Sequence, residues 1–153
     1  MSQRGGDVQS HLRISDKPIS SDLIPQGQAD LILSVEPMES LRYLPFLSKK
    51  GWLVTNTIPF ENIPDYPAID QILAEVKKVP NHIALDADAI AKDIGSAKSS
   101  NIVMLGAASP FIDIPFEKLQ EGIRELFGRK GDEVVEANLK ALKAGRDYTE
   151  KSR

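Results

Sequence analysis

The sequence predicts an α/β domain of three layers, α/β/α, in which helices cover both faces of a mostly parallel sheet. Short, nearly continuous apolar runs at residues 30–35, 52–57 and 82–85 are typical of strands buried on both faces. Segments with apolar residues three and four positions apart alternate with these runs, as helices do in this class of fold. A chain of 153 residues, 41% of them apolar, is long enough for one domain with a core.

The N-terminal stretch predicts a short hairpin ahead of this sheet. Residues 7–14 alternate between apolar and polar side chains, the two-residue period of a strand with one buried face. The residues on the apolar side are Val8, Ser10, Leu12 and Ile14. Turn residues at 15–18 can return the chain into a second short strand at 19–21.

Two helices are predicted between the buried strands. Glu36 and Pro37 open the first, because proline suits the first helical turn, and its apolar stripe ends near Pro45. Gly51 is expected to end the connection to the second strand. The second helix has its apolar face at residues 69–76, followed by cationic residues that suit the negative end of a helix.

The third strand is followed by a short helix at residues 88–94 that Gly95 closes. Asn101 is placed to cap the apolar segment that follows it. This segment, residues 102–109, fits a buried strand or a buried helix. Small residues at 106–108 favour the helix, because strands prefer β-branched side chains.

Two further helices complete the predicted domain. Pro115 begins one, which runs to Gly128 with apolar residues at spacings of three and four. The last begins near Asp132 and is expected to end at Gly145. The domain is therefore predicted to span residues 1–146, with a charged tail at 147–153.

Composition excludes several classes of function. A net charge of -3, without a basic run, argues against nucleic acid as a partner. The absence of cysteine excludes disulfides, thiolate-bound iron–sulfur clusters and cysteine-based zinc sites in these 153 residues. Because no apolar run approaches 18 residues and the start lacks the apolar core of a signal peptide, we expect no membrane association and a cytoplasmic location.

Chemical motifs are few. The dinucleotide, P-loop and nucleophile-elbow motifs GxGxxG, GxxxxGK[ST] and GxSxG do not occur. His11 and His82 are isolated from other metal ligands, so we interpret both as structural. Asp86 and Asp88 follow a strand, which suits acidic site residues, but they equally suit capping of the next helix.

The N-terminal loop offers the one candidate contact site. Arginine beside two glycines can gather an anion or meet a partner subunit, since glycine lets another group approach the backbone closely. An ordinary solvated loop is the alternative. The candidate residues are Gln3, Arg4, Gly5, Gly6 and Arg13.

Three stretches together resemble a known family. MSQRGGDVQSHLRISDKPIS, LIPQGQADLILSVEPMESLRYLP and GWLVTNTIP are similar to the gamma-type domain of 2-oxoacid:ferredoxin oxidoreductases, and the likeness continues to the C-terminus. Residues 3–6, together with Glu36, Pro37 and Arg42, are most similar to the beta subunit of the indolepyruvate type. Family members usually begin with a strand, a GxGGQG turn and a helix placed before the segment that starts here. We therefore expect this shortened domain to depend on something outside itself to complete its fold.

The resemblance implies an accessory subunit that carries no cofactor and no assignable catalytic residue. A larger partner subunit would hold thiamine diphosphate and the iron–sulfur clusters. The complex would decarboxylate an aryl 2-oxoacid oxidatively to an acyl-CoA, using coenzyme A and reducing ferredoxin. The alternatives are a gamma subunit of a pyruvate or 2-oxoglutarate ferredoxin oxidoreductase and a non-enzymatic interaction module derived from this domain.

Overall fold

The computed structural model describes residues 8–61 and 65–153. Within them, three parallel strands form one sheet in the order β1-β2-β3. The strands are β1 (Ala29–Ser34), β2 (Leu47–Asn56) and β3 (His82–Leu85). Leu33 pairs with Val54, and Val54 pairs with Ile83, so their side chains share one face of the sheet.

Helices cover both faces of this sheet. The helices are α1 (Pro37–Arg42), α2 (Ile69–Val76), α3 (Ala87–Asp93), α4 (Ser100–Ala108), α5 (Phe116–Phe127) and α6 (Asp132–Ser152). Helix α1 packs on β1 and β2 and contacts α2, while α4 packs on the same two strands and α6 contacts β3. Val54 and Ile83 join the core cluster that includes α4 and α6, whereas Leu53, adjacent to Val54 and also buried, is not part of that cluster. The predicted three-layer α/β/α class is confirmed.

The predicted N-terminal hairpin is wrong within the described residues. We call residues 8–24 the N-terminal arm, and it contains neither helix nor strand. Local side-chain bonds take the place of a ladder: the Lys17 N–H donates to the Ser15 hydroxyl at 3.0 Å, and the Leu23 N–H donates to the Ser21 hydroxyl at 3.2 Å. Such bonds compete with strand pairing.

Strand β2 begins earlier than the sequence suggests. It starts at Leu47, so Gly51 lies inside the strand and does not end the connection as predicted. The backbones of β1 and β2 approach closely here, since a Cβ on Gly51 would lie 2.6 Å from the carbonyl oxygen of Ala29. The strand register also shifts between Ala29 and Leu31. Glycine is therefore required by this close approach rather than by a turn.

Helix α4 confirms the helical interpretation of the ambiguous apolar segment. Its N-cap is Ser99, however, and Asn101 lies exposed in the first turn, so the predicted capping role of Asn101 is wrong. Six residues of the helix are buried, which explains why the sequence shows no polar face there: Ile102, Val103, Met104, Gly106, Ala107 and Ala108.

Helix α6 does not end at Gly145 as predicted but continues to Ser152. The predicted charged tail is therefore helical up to that residue, and part of it packs on the domain. Thr149 is fully buried, and its hydroxyl donates to the carbonyl oxygen of Ala107 at 2.9 Å. The Tyr148 hydroxyl donates to the carbonyl oxygen of Ala84 at 3.1 Å. No helix in the described part of the chain has the length and apolar character needed to cross a bilayer.

Candidate functional site at the carboxyl edge of the sheet

Polar side chains gather where the three parallel strands end. Glu36 follows β1, Asn56 ends β2, and Asp86 and Asp88 follow β3. In open α/β sheets this edge is the usual place for ligand contacts, because loops from neighbouring strands meet there. This edge is accordingly the candidate site.

Glu36 joins the end of β1 to the loop that follows β2. Its Oε2 atom accepts a hydrogen bond from the Glu39 N–H at 2.7 Å, which caps α1. Its Oε1 atom accepts from the hydroxyl of Tyr66. The Ser34 hydroxyl donates to the carbonyl oxygen of Glu36 at 2.6 Å. Both carboxylate oxygens are therefore engaged in holding α1 and the loop together.

Tyr66 remains a hydrogen-bond donor at neutral pH. Partial burial raises the pKa of its phenol above the ordinary value, and the hydrogen bond and negative charge of Glu36 raise that pKa further. The protonated hydroxyl can therefore fasten the proline-containing loop before α2 to Glu36.

Asn56 joins β2 to the start of α3. Its side chain is only 6% exposed, and its Oδ1 atom accepts hydrogen bonds from the N–H groups of Thr57 at 3.0 Å and Ala87 at 3.1 Å. Its Nδ2 atom donates to Asp88 Oδ2 at 3.0 Å. These bonds involve both the oxygen and the nitrogen of this buried amide, as burial requires.

The two aspartates after β3 have different roles. Asp86 is the N-cap of α3, accepting from the Ala89 N–H at 2.7 Å, so the capping interpretation is confirmed for Asp86. Asp88 lies in the first turn and accepts from Asn56 instead of capping the helix. Neither side chain belongs to a group of three potential metal ligands among the described residues.

Large apolar side chains are exposed around the same edge. The ends of β1 and β2 carry residues that are 40 to 72% exposed: Leu33, Val35, Ile58 and Phe60. This edge therefore combines polar side chains that are bonded to one another and to the backbone with an exposed apolar surface. That combination suits contact with another protein surface.

Of the residues predicted from the sequence to form a contact site, the structure describes only Arg13. Residues 3–6 lie outside the described part of the chain. Arg13 is exposed, and its guanidinium donates to the carbonyl oxygen of Ser21 within the N-terminal arm. The predicted anion or partner contact at Gln3, Arg4, Gly5, Gly6 and Arg13 therefore stays a prediction.

Both histidines bond to nearby backbone, which supports their structural interpretation. His11 Nδ1 accepts from the Ile24 N–H at 2.8 Å. His82 Nδ1 lies 2.7 Å from the carbonyl oxygen of Val79, which can only accept, so this nitrogen carries the proton.

Sequence reasoning missed the two linking contacts, Glu36 with Tyr66 and Asn56 with Asp88. The position of Asn56 at the end of a buried strand was a usable signal, because strand ends meet at this edge. The sequence offers no comparable signal for Tyr66, which follows a loop with no regular period.

The α/β fold with its parallel sheet is shared with a 2-oxoacid oxidoreductase of known structure. The solved structure is titled 2-oxoglutarate:ferredoxin oxidoreductase from Magnetococcus marinus with 2-oxoglutarate, coenzyme A and succinyl-CoA bound. Its similarity has a TM-score of 0.58 at 24% identity, covering 86% of this chain and 22% of that one. At this identity the likeness shows the fold alone.

The chain belongs to the pyruvate ferredoxin/flavodoxin oxidoreductase family, which matches residues 1–148. The family resemblance found in the sequence is therefore confirmed. Indolepyruvate oxidoreductase subunit IorB of Archaeoglobus fulgidus is 40% identical over 95% of this chain and 74% of its own length. The IorB subunit of Methanothermobacter thermautotrophicus is 33% identical over 95% of this chain and 76% of its own length.

A longer relative contains the same domain as a small part. Pyruvate:ferredoxin oxidoreductase of Moorella thermoacetica is 28% identical over 90% of this chain, which corresponds to 12% of that protein. The domain therefore occurs both in proteins named as subunits and within a much longer chain.

Proposed function

We propose that this chain is an accessory subunit of an indolepyruvate-type 2-oxoacid:ferredoxin oxidoreductase. The observation that carries the proposal is the agreement of four archaeal relatives, each named indolepyruvate oxidoreductase subunit IorB. They are 32 to 40% identical to this chain over 95% of its length. In this proposal the complex converts an aryl 2-oxoacid to an acyl-CoA and reduces ferredoxin.

Thiamine diphosphate and the iron–sulfur clusters belong, in this proposal, to a larger partner subunit. The residues of this chain do not fit a thiolate-bound cluster, because the sequence has no cysteine. The described residues also contain no group of three histidine or acidic side chains that could hold a metal ion. In this proposal the chain completes and supports the assembly.

The carboxyl edge of the sheet supports a role in subunit assembly. Glu36, Asn56 and Tyr66 are bonded to neighbouring side chains and backbone groups, and large apolar side chains are exposed near them. A surface with exposed apolar residues suits a subunit contact. A cytoplasmic location for the complex stays a prediction.

A substrate panel tests the proposal. The chain is produced together with its larger subunit, and reduction of ferredoxin is followed with indolepyruvate, pyruvate and 2-oxoglutarate in turn, each with coenzyme A. We expect indolepyruvate to give the highest kcat/KM. Preference for pyruvate or 2-oxoglutarate would favour the gamma-subunit alternative, and no activity with any of the three would favour the interaction module.

A further inference from the structure

The apolar surface at the carboxyl edge of the sheet lies on segments with a one-sided charge. We call residues 35–36, 57–68 and 86–88, which follow β1, β2 and β3, the edge segments. Their sequence contains no lysine or arginine but five acidic residues: Glu36, Glu61, Asp65, Asp86 and Asp88. Because the whole chain has a net charge of only -3, negative charge is concentrated at this edge.

Cationic side chains of the described chain do not neutralise these carboxylates. Glu36, Asp86 and Asp88 accept hydrogen bonds, but every donor is an uncharged hydroxyl, amide or backbone N–H group. Glu61 and Asp65 are exposed. None of the five acidic residues forms an ion pair with a described lysine or arginine. The negative potential at this edge is therefore not balanced within the described chain.

Large apolar side chains accompany the carboxylates in the same segments. Val35 precedes Glu36, and Phe60, which is 72% exposed, precedes Glu61. Burial and Glu36 raise the pKa of Tyr66 most, and the charge of Glu61 adds to this rise, so both carboxylates act on one phenol. The ends of β1 and β2 thus present apolar side chains and negative charge together.

This charge argues against several occupants of the surface. Nucleic acids and anionic lipid surfaces are attracted to positive charge and would be repelled here. Coenzyme A and 2-oxoacids are anions as well, so the same potential disfavours both. A second copy of this chain in symmetric contact would bring identical carboxylates together, and such like-charge contacts cost free energy. A protein surface with cationic side chains is the occupant that fits.

The comparisons indicate which protein offers a contact. The region matching this chain makes up 12% of the Moorella protein and 22% of the Magnetococcus chain, so in both it is covalently joined to further parts of an oxidoreductase. We propose that the carboxyl edge docks on a cationic surface of the larger oxidoreductase subunit. The exposed apolar side chains form the centre of this contact, and Glu61 and Asp65 face lysine or arginine side chains. This inference rests on the proposed function.

The first test reverses charge and measures binding to the larger subunit. Glu61→Lys with Asp65→Lys changes two exposed residues of the edge segments, and Glu125→Lys with Glu136→Lys, on exposed positions of α5 and α6, is the matched control. We expect the edge variant to raise the Kd about tenfold or more and the control to change it less than about threefold. The Kd of the wild type should rise with added salt, because salt screens exposed charges.

The second test makes the apolar centre polar. Phe60→Ser changes a side chain that is 72% exposed, and Leu126→Ser on α5, where the side chain is 70% exposed, is the matched control. We expect Phe60→Ser to raise the Kd about tenfold or more and the control to change it less than about twofold. All variants should melt near the temperature of the wild type, because the substituted side chains are already exposed.

The outcomes separate this inference from the proposed function. Unchanged or tighter binding by the charge-reversed edge variant, unchanged binding by Phe60→Ser, or a wild-type Kd that does not rise with salt would overturn the inference and leave the proposed function standing. Failure of the wild-type chain to bind the larger subunit would overturn both. A wild-type homodimer that Phe60→Ser cannot form would identify a second copy as the occupant and also overturn the inference.

Discussion

At the scale of single residues, two glycines set the distance between α4 and α6. A Cβ on Gly106 would lie 2.8 Å from the carbonyl carbon of Leu142, and a Cβ on Gly145 would lie 2.8 Å from the nitrogen of Ala107. Atoms on the main chain cannot move aside as a flexible side chain can. The two helices can therefore pack this closely only where both residues lack a side chain.

Gly145→Ala should destabilise the domain by about 1 to 3 kcal/mol, because the added methyl group overpacks a backbone contact. Gly122→Ala is the matched control: it is also helical, but a Cβ there meets nothing within 4 Å, so alanine should stabilise by about 0.5 to 1 kcal/mol. Urea denaturation of both variants gives the comparison. Equal midpoints for Gly145→Ala and the wild type would show that the helices do not approach as described.

Tyr66→Phe removes the hydrogen bond to Glu36 and should cost about 1 kcal/mol at pH 7, a value reduced because the contact is only partly buried. The folded state raises the pKa of Tyr66, so the stabilisation is complete below the unfolded pKa of about 10 and is lost as the pH rises above it. Unfolding free energies of both proteins at pH 7 and pH 10.5 test this. A difference that grows at the higher pH would contradict the assignment.

Asn56→Asp should cost about 1 to 3 kcal/mol, because it replaces the donor to Asp88 with a second carboxylate. Adding Asp88→Asn should recover most of this loss, because the amide introduced at position 88 can donate to the carboxylate at position 56. The carboxylate at position 56 can still accept from the N–H groups of Thr57 and Ala87. Thermal melts of the two single variants and the double variant form the cycle. Additive losses without recovery would show that the two side chains do not interact.

At the scale of elements, the sequence predicts correctly those helices and strands whose bounds are determined by a local pattern of residues. Strands β1 and β3 and helices α2 and α5 lie within one or two residues of their predicted places, because apolar spacing and flanking prolines fix them locally. The hairpin could not be predicted correctly, because alternation gives the shape of a strand but not its ladder partner. The predicted helix end at Gly145 is wrong for a similar reason: glycine commonly ends helices, and only the position of α4 shows that Gly145 allows a close approach of two helices.

The same limit applies to the candidate site. Asp86 was placed correctly at the carboxyl edge, because a strand end followed by a capping residue is a local pattern. The contact between Glu36 and Tyr66 joins residues 30 positions apart, and no period of the sequence links them.

Removal of the residues after Asp147 tests whether the end of α6 is structural. Thr149 is buried and bonded to Ala107, so we expect the truncated chain to lose about 2 to 4 kcal/mol. Lys151→Ala, which alters only an exposed side chain of the same turn, is the control and should change stability by less than about 0.5 kcal/mol. An unchanged urea midpoint for the truncated chain would show that residues 148–153 do not stabilise the domain, as the predicted charged tail implied.

At the scale of the whole molecule, the features not explained by the isolated domain lie on its surface. Apolar residues are exposed at the carboxyl edge of the sheet and along the N-terminal arm, while the polar groups between the strands and helices are bonded internally. Exposed apolar patches often mark surfaces that contact another protein, which agrees with the proposed function. The expectation that the chain depends on something outside itself stays a prediction.

Add-back of this chain to its larger subunit tests the central claim most directly. The larger subunit is held at fixed concentration, increasing amounts of the chain are added, and indolepyruvate-dependent reduction of ferredoxin is measured at each ratio. We expect activity to rise with the added chain and to reach a plateau at an equimolar ratio. Full activity of the larger subunit without this chain, or no change at any ratio, would contradict its role as an accessory subunit.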